Sequence, residues 1–265
     1  AFIKEFRMAP AFIRLAAALA LALAFGFAQP GPARAAGDDL TPAQKKQVEE
    51  VVRQYLLKNP ELLIEAIGTL RAREEAEEAK SQGDAIERRR ADIERDPASP
   101  VGGNPKGDVT LVEFFDYRCA YCKRVHESIQ GLVKADGNIR FVYKELPLLG
   151  PESLFAARAA LAAFKIAPAR YAALHEKLMA LPARGVTEES VMAEVKSAGL
   201  DVKAVRQRMD DPAVAKDLER VQELAGALQL RGTPSFVVGD ILIPGAVDGE
   251  TLKKAVAAAR ARKKS

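Results

Sequence analysis

Two cysteines, two histidines, no tryptophan and only 6% aromatic residues leave this 265-residue chain with few of the side chains that build metal clusters or base-stacking surfaces. The histidines, His126 and His175, do not supply a convincing ligand set for structural zinc, and His126 is expected at the surface. Lys123 directly follows Cys122, which excludes the Cys-X-X-Cys-His signature of covalent haem. No basic stripe interleaved with aromatic platforms occurs, so nucleic-acid binding is set aside. The longest apolar run, 15–27, has about 13 residues, short of the roughly 18 that a membrane span needs. Both thiols fall in one stretch, Cys119-Ala120-Tyr121-Cys122, so no disulfide can staple distant parts of the fold. The pair is therefore read as chemistry rather than scaffolding, and the chemistry as thiol-disulfide exchange.

Lys4, Arg7 and Arg14 precede that apolar run, and Ala33-Arg34-Ala35 supplies the small-X-small site of a signal peptidase. Residues 1–35 are read as a secretory signal peptide cleaved before Ala36, and the protein as periplasmic. Without them the formal charge falls from +4 to about +1, because Lys4, Arg7, Arg14 and Arg34 leave with Glu5 alone. The basic balance of the chain thus belongs largely to the leader. Export into an oxidising compartment suits a single reactive thiol pair that works on other proteins.

Downstream, Thr41-Pro42-Ala43-Gln44 combines an N-cap, a first-turn proline and a capping-box partner, and predicts a helix to about residue 57. Asn59-Pro60-Glu61 starts a second helix with Leu62, Leu63, Ala66, Ile67 and Leu70 at helical spacing. With Val48, Val51, Val52, Tyr55 and Leu56 these residues form an apolar stripe. Residues 71–106, rich first in Glu, Arg and Ala and then in Pro and Gly, read as a charged helical linker. A stripe separated in this way from the main core should seek a copy of itself, so 36–70 is expected to be a helical oligomerisation region. The remainder, 107–265, reads as strand 109–115, helix 119–135 and strand 139–143, then helices through about 151–230. Strands 235–238 and 241–243 and a closing helix 248–262 follow. Strands on both sides of a helical block predict an α/β fold whose three-to-five-stranded sheet carries a helical insertion.

Position sharpens the reading of the thiols. Cys119 falls where a strand meets a helix N-terminus, and there unpaired backbone N–H groups and the positive end of the helix dipole favour thiolate. It is read as the nucleophile, and Cys122, one turn deeper, as the resolving thiol. Glu113 shares a strand face with Leu111 and Phe115, so it is expected to be buried, where its carboxyl could hold or relay the proton of Cys122. Lys144 and Glu145, closing the next strand, are expected to form a solvated pair, and Asp116, Tyr117 and Arg118 a loop that shapes the cleft. Two soft thiolates also suit copper(I), an alternative use of Cys119 and Cys122.

The run Glu113-Phe114-Phe115-Asp116-Tyr117-Arg118-Cys119-Ala120-Tyr121-Cys122, with Gly232-Thr233-Pro234-Ser235-Phe236 far downstream, resembles the DsbA-like branch of the thioredoxin superfamily. The N-terminal helices, the linker and Tyr121 are similar to its suppressor-of-copper-sensitivity C subgroup. This resemblance implies a thioredoxin fold with an inserted helical domain, a cis-proline loop at Thr233-Pro234 facing the cysteines, and a buried acid at Glu113. It implies cysteine-containing substrate proteins, a membrane redox partner and a homo-oligomer, with a trimer favoured, and no cofactor. Strong oxidants of the family often carry Pro-His between the cysteines. Ala120-Tyr121 provides no imidazolium, so the reading is a protein disulfide isomerase, with a disulfide-introducing oxidase as the alternative.

Overall fold

The computed structural model describes residues 40–263, so the signal peptide expected at 1–35 lies outside the described residues. The chain divides into two units, with the division after Gly68. In the first, helix α1 (Pro42–Lys58) opens with the expected capping box. Thr41 Oγ1 accepts the Gln44 backbone N–H at 3.3 Å, and Gln44 Oε1 accepts the Thr41 N–H at 2.9 Å. None of the α1 residues is buried, and Val48, Val51, Val52 and Tyr55 stand open to solvent. Helix α2 (Glu61–Arg88) begins in this unit with Leu63, Ile64 and Ile67 similarly open.

The second unit takes in the end of α2, a short α3 (Arg90–Glu94) and a five-stranded sheet in the order β1-β3-β2-β4-β5. The strands are β1 (Val101–Gly103), β2 (Val109–Phe115), β3 (Ile139–Glu145), β4 (Ser235–Val238) and β5 (Ile241–Pro244). Strands β2 and β3 are parallel, joined by α4 (Ala120–Asp136), and every other neighbouring pair is antiparallel. Helix α4 stops at Gly137, whose φ of +67° is the left-handed position that glycine takes without a steric penalty. Between β3 and β4 lie α5 (Pro151–Ile166), α6 (Tyr171–Ala180), α7 (Glu188–Ser197), α8 (Val202–Met209) and α9 (Pro212–Ala227). Helix α10 (Gly249–Arg262) closes the described chain. This is the thioredoxin fold with an inserted helical block that the motifs implied.

Side-chain alternation divides the core into layers. Leu111 and Phe115 of β2, with Phe141 and Tyr143 of β3, pack with α4, α10 and the helical insertion. Val112, Phe114 and Val142 face the other way, onto Ile86, Ile93 and the α9 residues Val221, Leu224 and Ala225. Strands covered on both faces read as nearly unbroken apolar runs, which is why β2 and β3 stand out in the sequence.

The expectation of a charged helical linker at 71–106 is corrected over its C-terminal part. Ile86 and Ile93 are 1% and 0% exposed, and β1 pairs with β3, so the folded unit starts well before residue 107. A helix needs only a few apolar residues on one side to cover a sheet face, and a three-residue Val-Gly-Gly strand has no periodicity to detect. The solvated pair Lys144 and Glu145 is corrected as well, since both side chains are buried. Strand β3 lies between β1 and β2 with both faces covered, so its end has no solvent side. Lys144 Nζ donates to Asp92 O at 2.6 Å and to Asp96 Oδ2 at 3.2 Å, and the Tyr171 hydroxyl donates to Glu145 Oε1 at 2.5 Å.

Candidate active site

Strand β2 ends at Phe115, and four residues later Cys119 caps the N-terminus of α4. The buried Asp116 carboxylate organises the turn between them. Its Oδ1 accepts the Arg118 N–H and the Ser153 hydroxyl, each at 2.7 Å, while Oδ2 accepts the N–H groups of Leu148 at 2.7 Å and Leu149 at 3.0 Å. One side chain thus ties the segment before the cysteines to the loop after β3 and to the first turn of α5. Arg118 reinforces the junction by donating to Glu152 at 2.7 Å and to Leu149 O at 3.1 Å.

Both thiols are free, and Cys119 Sγ donates to the carbonyl of Thr233 at 3.2 Å across a sequence separation of more than a hundred residues. The Thr233-Pro234 peptide is cis. The two sulfurs occupy opposite electrostatic environments. The Cys119 thiol is lowered to about 5, chiefly by the hydrogen bond from the Cys122 thiol; burial opposes this, and backbone N–H donors of Cys122 and Tyr121 add to it. Cys122, with no exposed surface, is pushed far above the ordinary thiol range by burial, then by its bond to Cys119 and by the nearby Glu113. The pair therefore holds one sulfur that ionises readily and one that keeps its proton.

Glu113 is completely buried, opposite Tyr143 on β3 and Phe236 on β4, and neither carboxyl oxygen has a hydrogen-bond partner. Burial, and then the negative charge of Cys119, raises its carboxyl to about 8. A carboxyl in that range can give or take a proton near neutral pH. Cys119 and Cys122 at the start of α4 thus meet the Thr233-Pro234 loop, and the buried Glu113 of β2 lies close enough to both for their charges to act on one another. Tyr121 stays outside, 56% exposed, with the Arg124 guanidinium 4.9 Å from its ring centroid.

The surface placement of His126 is corrected. Its ring lies on the inward face of α4 with Cys122, Val125 and Ile129, its Nε2 is 2.9 Å from Glu176 Oε2, and its centroid is 5.2 Å from that of the fully buried His175. The spacing of those neighbours already carried the signal, because position 126 falls on the same helical stripe. His175 in turn sits 3.0 Å from the Tyr117 hydroxyl through Nδ1, and burial holds it neutral, well below the usual imidazole range. Lys123, which entered the sequence reading only as an argument against haem, reaches into the helical insertion. Among the described residues no group of three or more His, Cys, Asp or Glu side chains is arranged to hold a metal ion. No described helix is long and apolar enough to cross a membrane.

Comparison with known proteins agrees with this geometry. The model of the DSBA-like thioredoxin domain matches residues 110–257, and that of the copper resistance protein ScsC N-terminal domain matches residues 44–77. A thioredoxin-like oxidoreductase from Silicibacter pomeroyi is 46% identical, covers 64% of this chain and 97% of its own, and superposes with a TM-score of 0.62. Proteus mirabilis ScsC in a transitional conformation is 33% identical, covers 84% of this chain and 98% of its own, and gives 0.62 as well. The disulfide bond formation protein D of Bacillus subtilis is 25% identical over 168 residues, 59% of this chain and 75% of that protein. The chain belongs to the DsbA-like thioredoxin family and is a thiol-disulfide oxidoreductase of the DsbA and ScsC kind.

Proposed function

We propose that the protein is an exported, self-associating protein disulfide isomerase with Cys119 as its nucleophile. The observation that carries this reading is the unequal thiol pair, in which Cys119 ionises below neutral pH while Cys122 retains its proton. The Cys119 thiolate attacks one sulfur of a substrate disulfide, the new bond forms as the old one breaks, and the second substrate sulfur leaves as a thiolate. That thiolate attacks another disulfide of the same substrate, whose freed thiolate later displaces Cys119, with no net oxidation. If Cys122 closes on Cys119 instead, the substrate leaves reduced and the resident disulfide needs a dithiol reductant, the role of the membrane redox partner. Glu113, once it has released its own proton to solvent in the mixed disulfide, accepts as a carboxylate the proton that Cys122 loses in that step. Once Cys119 is bonded to a substrate sulfur its negative charge is gone, and Glu113 ionises more readily. The Thr233-Pro234 loop offers its backbone to an extended substrate segment beside the reacting sulfur.

Support for self-association comes from the solvent-facing Val51, Tyr55, Ile64 and Ile67, all within the segment that matches the ScsC N-terminal domain. Support for export comes from the leader-like pattern of residues 1–35. A disulfide-introducing oxidase is the second reading, favoured by the low Cys119 value, because stabilising the reduced thiolate makes the disulfide a stronger oxidant. Alkylation trapping in the cell separates the two: an isomerase is held as a dithiol, an oxidase as a disulfide. Reactivation of scrambled ribonuclease by the purified chain, lost in Cys119→Ser, is the expected outcome. Full activity in that variant would end both readings.

A further inference from the structure

Lys123 lies in the first turn of α4, directly after Cys122, yet its side chain does not extend into solvent. Its Nζ donates to Leu178 O at 2.8 Å and to Met179 O at 3.1 Å. Both carbonyls belong to the last turn of α6, where backbone acceptors have no partner within the helix and the helix dipole presents its negative end. An ammonium at that position satisfies two of those acceptors and neutralises the dipole. It also bridges two elements that meet at the thiol site: the helix whose N-terminus carries Cys119, and the inserted helix that carries His175. Burial lowers the ammonium to about 8, while the neighbouring Cys122, Asp116 and Cys119 act in the opposite direction. A positive group kept here despite burial is held by the negative groups around it.

We propose that Lys123 is a positioning residue of the thiol site, clamping the first turn of α4 onto the end of α6 and holding a fixed positive charge beside the cysteine pair. The proposal rests on Cys119 being the reactive thiolate. The charge has two consequences. It offsets the negative dipole end of α6, which would otherwise weaken the N-terminal field of α4, and it favours the Cys119 thiolate directly. Charge and packing are separable, because the aliphatic stem of a lysine also fills space.

The test is the pH profile of iodoacetamide alkylation at Cys119 in the full reduced chain, with the site assigned by peptide mass. Three variants are compared with the parent: Lys123→Met, Lys123→Gln and Lys123→Arg. Met keeps the stem, Gln keeps donors without charge, and Arg keeps both charge and donors. The midpoint is expected to rise in Met and Gln, so that alkylation on the acid side of the profile slows about three-fold or more, and to return toward the parent in Arg. An unchanged midpoint in folded Lys123→Gln overturns the proposal. So does a rise of equal size in Lys123→Arg, which would assign the effect to packing. If Met fails to give a cooperative melt, Gln and Arg decide between these outcomes. Failure of the site reading itself is seen elsewhere, as an ordinary thiol midpoint in the parent chain.

Discussion

Replacing Glu113 by glutamine isolates the most exposed assumption of the site, that a carboxyl with no hydrogen-bond partner remains protonated beneath the thiols near neutral pH. In the unfolded chain this group titrates near its ordinary 4.5; in the fold it titrates near 8. Between those values the native state binds a proton that the unfolded state has released, so stability falls as pH rises. Every tenfold difference in proton affinity between the two states corresponds to about 1.4 kcal/mol, and the loss between about pH 5 and pH 8 amounts to about 3 to 4 kcal/mol. Glu113→Gln removes that slope. The buried amide leaves its own donors unpaired, at a cost of about 1 to 3 kcal/mol at every pH, so the slope and not the absolute stability is the informative quantity. Cys119 contributes an opposite slope in both proteins, which cancels to first order in the difference. Urea unfolding of both reduced proteins at several pH values reads the result directly. The variant should be the less stable near pH 5 and should match or overtake the parent near pH 8. Parallel stability profiles would refute the buried protonated acid. The same variant should accumulate mixed disulfides at Cys119, since Cys122 loses its proton acceptor.

Two further predictions address the segment read from sequence as linker. Ile93→Ala should cost about 2 to 5 kcal/mol, the range for truncating a fully buried aliphatic side chain, and a change under about 0.5 kcal/mol in urea unfolding would return this segment to the solvent. Asp96→Ala removes the carboxylate partner of the buried Lys144 ammonium and should cost about 3 to 5 kcal/mol. Adding Lys144→Met should recover much of that loss, and additive losses in the double variant would argue against the ion pair.

Much of the fold was legible because β2, β3 and the helices of the insertion carry strong local patterns. Strand β2 spans the residues that periodicity assigned to it, and the cap at Thr41 holds the helix start as expected. Glu113 was legible for a related reason, since its neighbours two positions away are both apolar and a strand repeats every two residues. Where the reading failed, burial came from a distant element. Lys144 and Glu145 look like a surface pair until Asp96 and Tyr171 are brought against them, and His126 looks like a surface residue until α6 covers its helix face. Hydrophobic pattern reports how a segment prefers to face, whereas the fate of a polar side chain depends on which partner arrives.

The sequence by itself placed two cysteines at a strand-helix junction and pointed to them, to a Thr-Pro motif and to a buried acid as the candidate site. Only the tertiary structure decided what surrounds the two sulfurs. The Thr233 carbonyl comes to Cys119 from more than a hundred residues away, Glu113 approaches from the strand beneath, and the end of α6 holds Lys123 in place. Burial and charge act over a few ångströms in space, and separation along the chain carries no record of them.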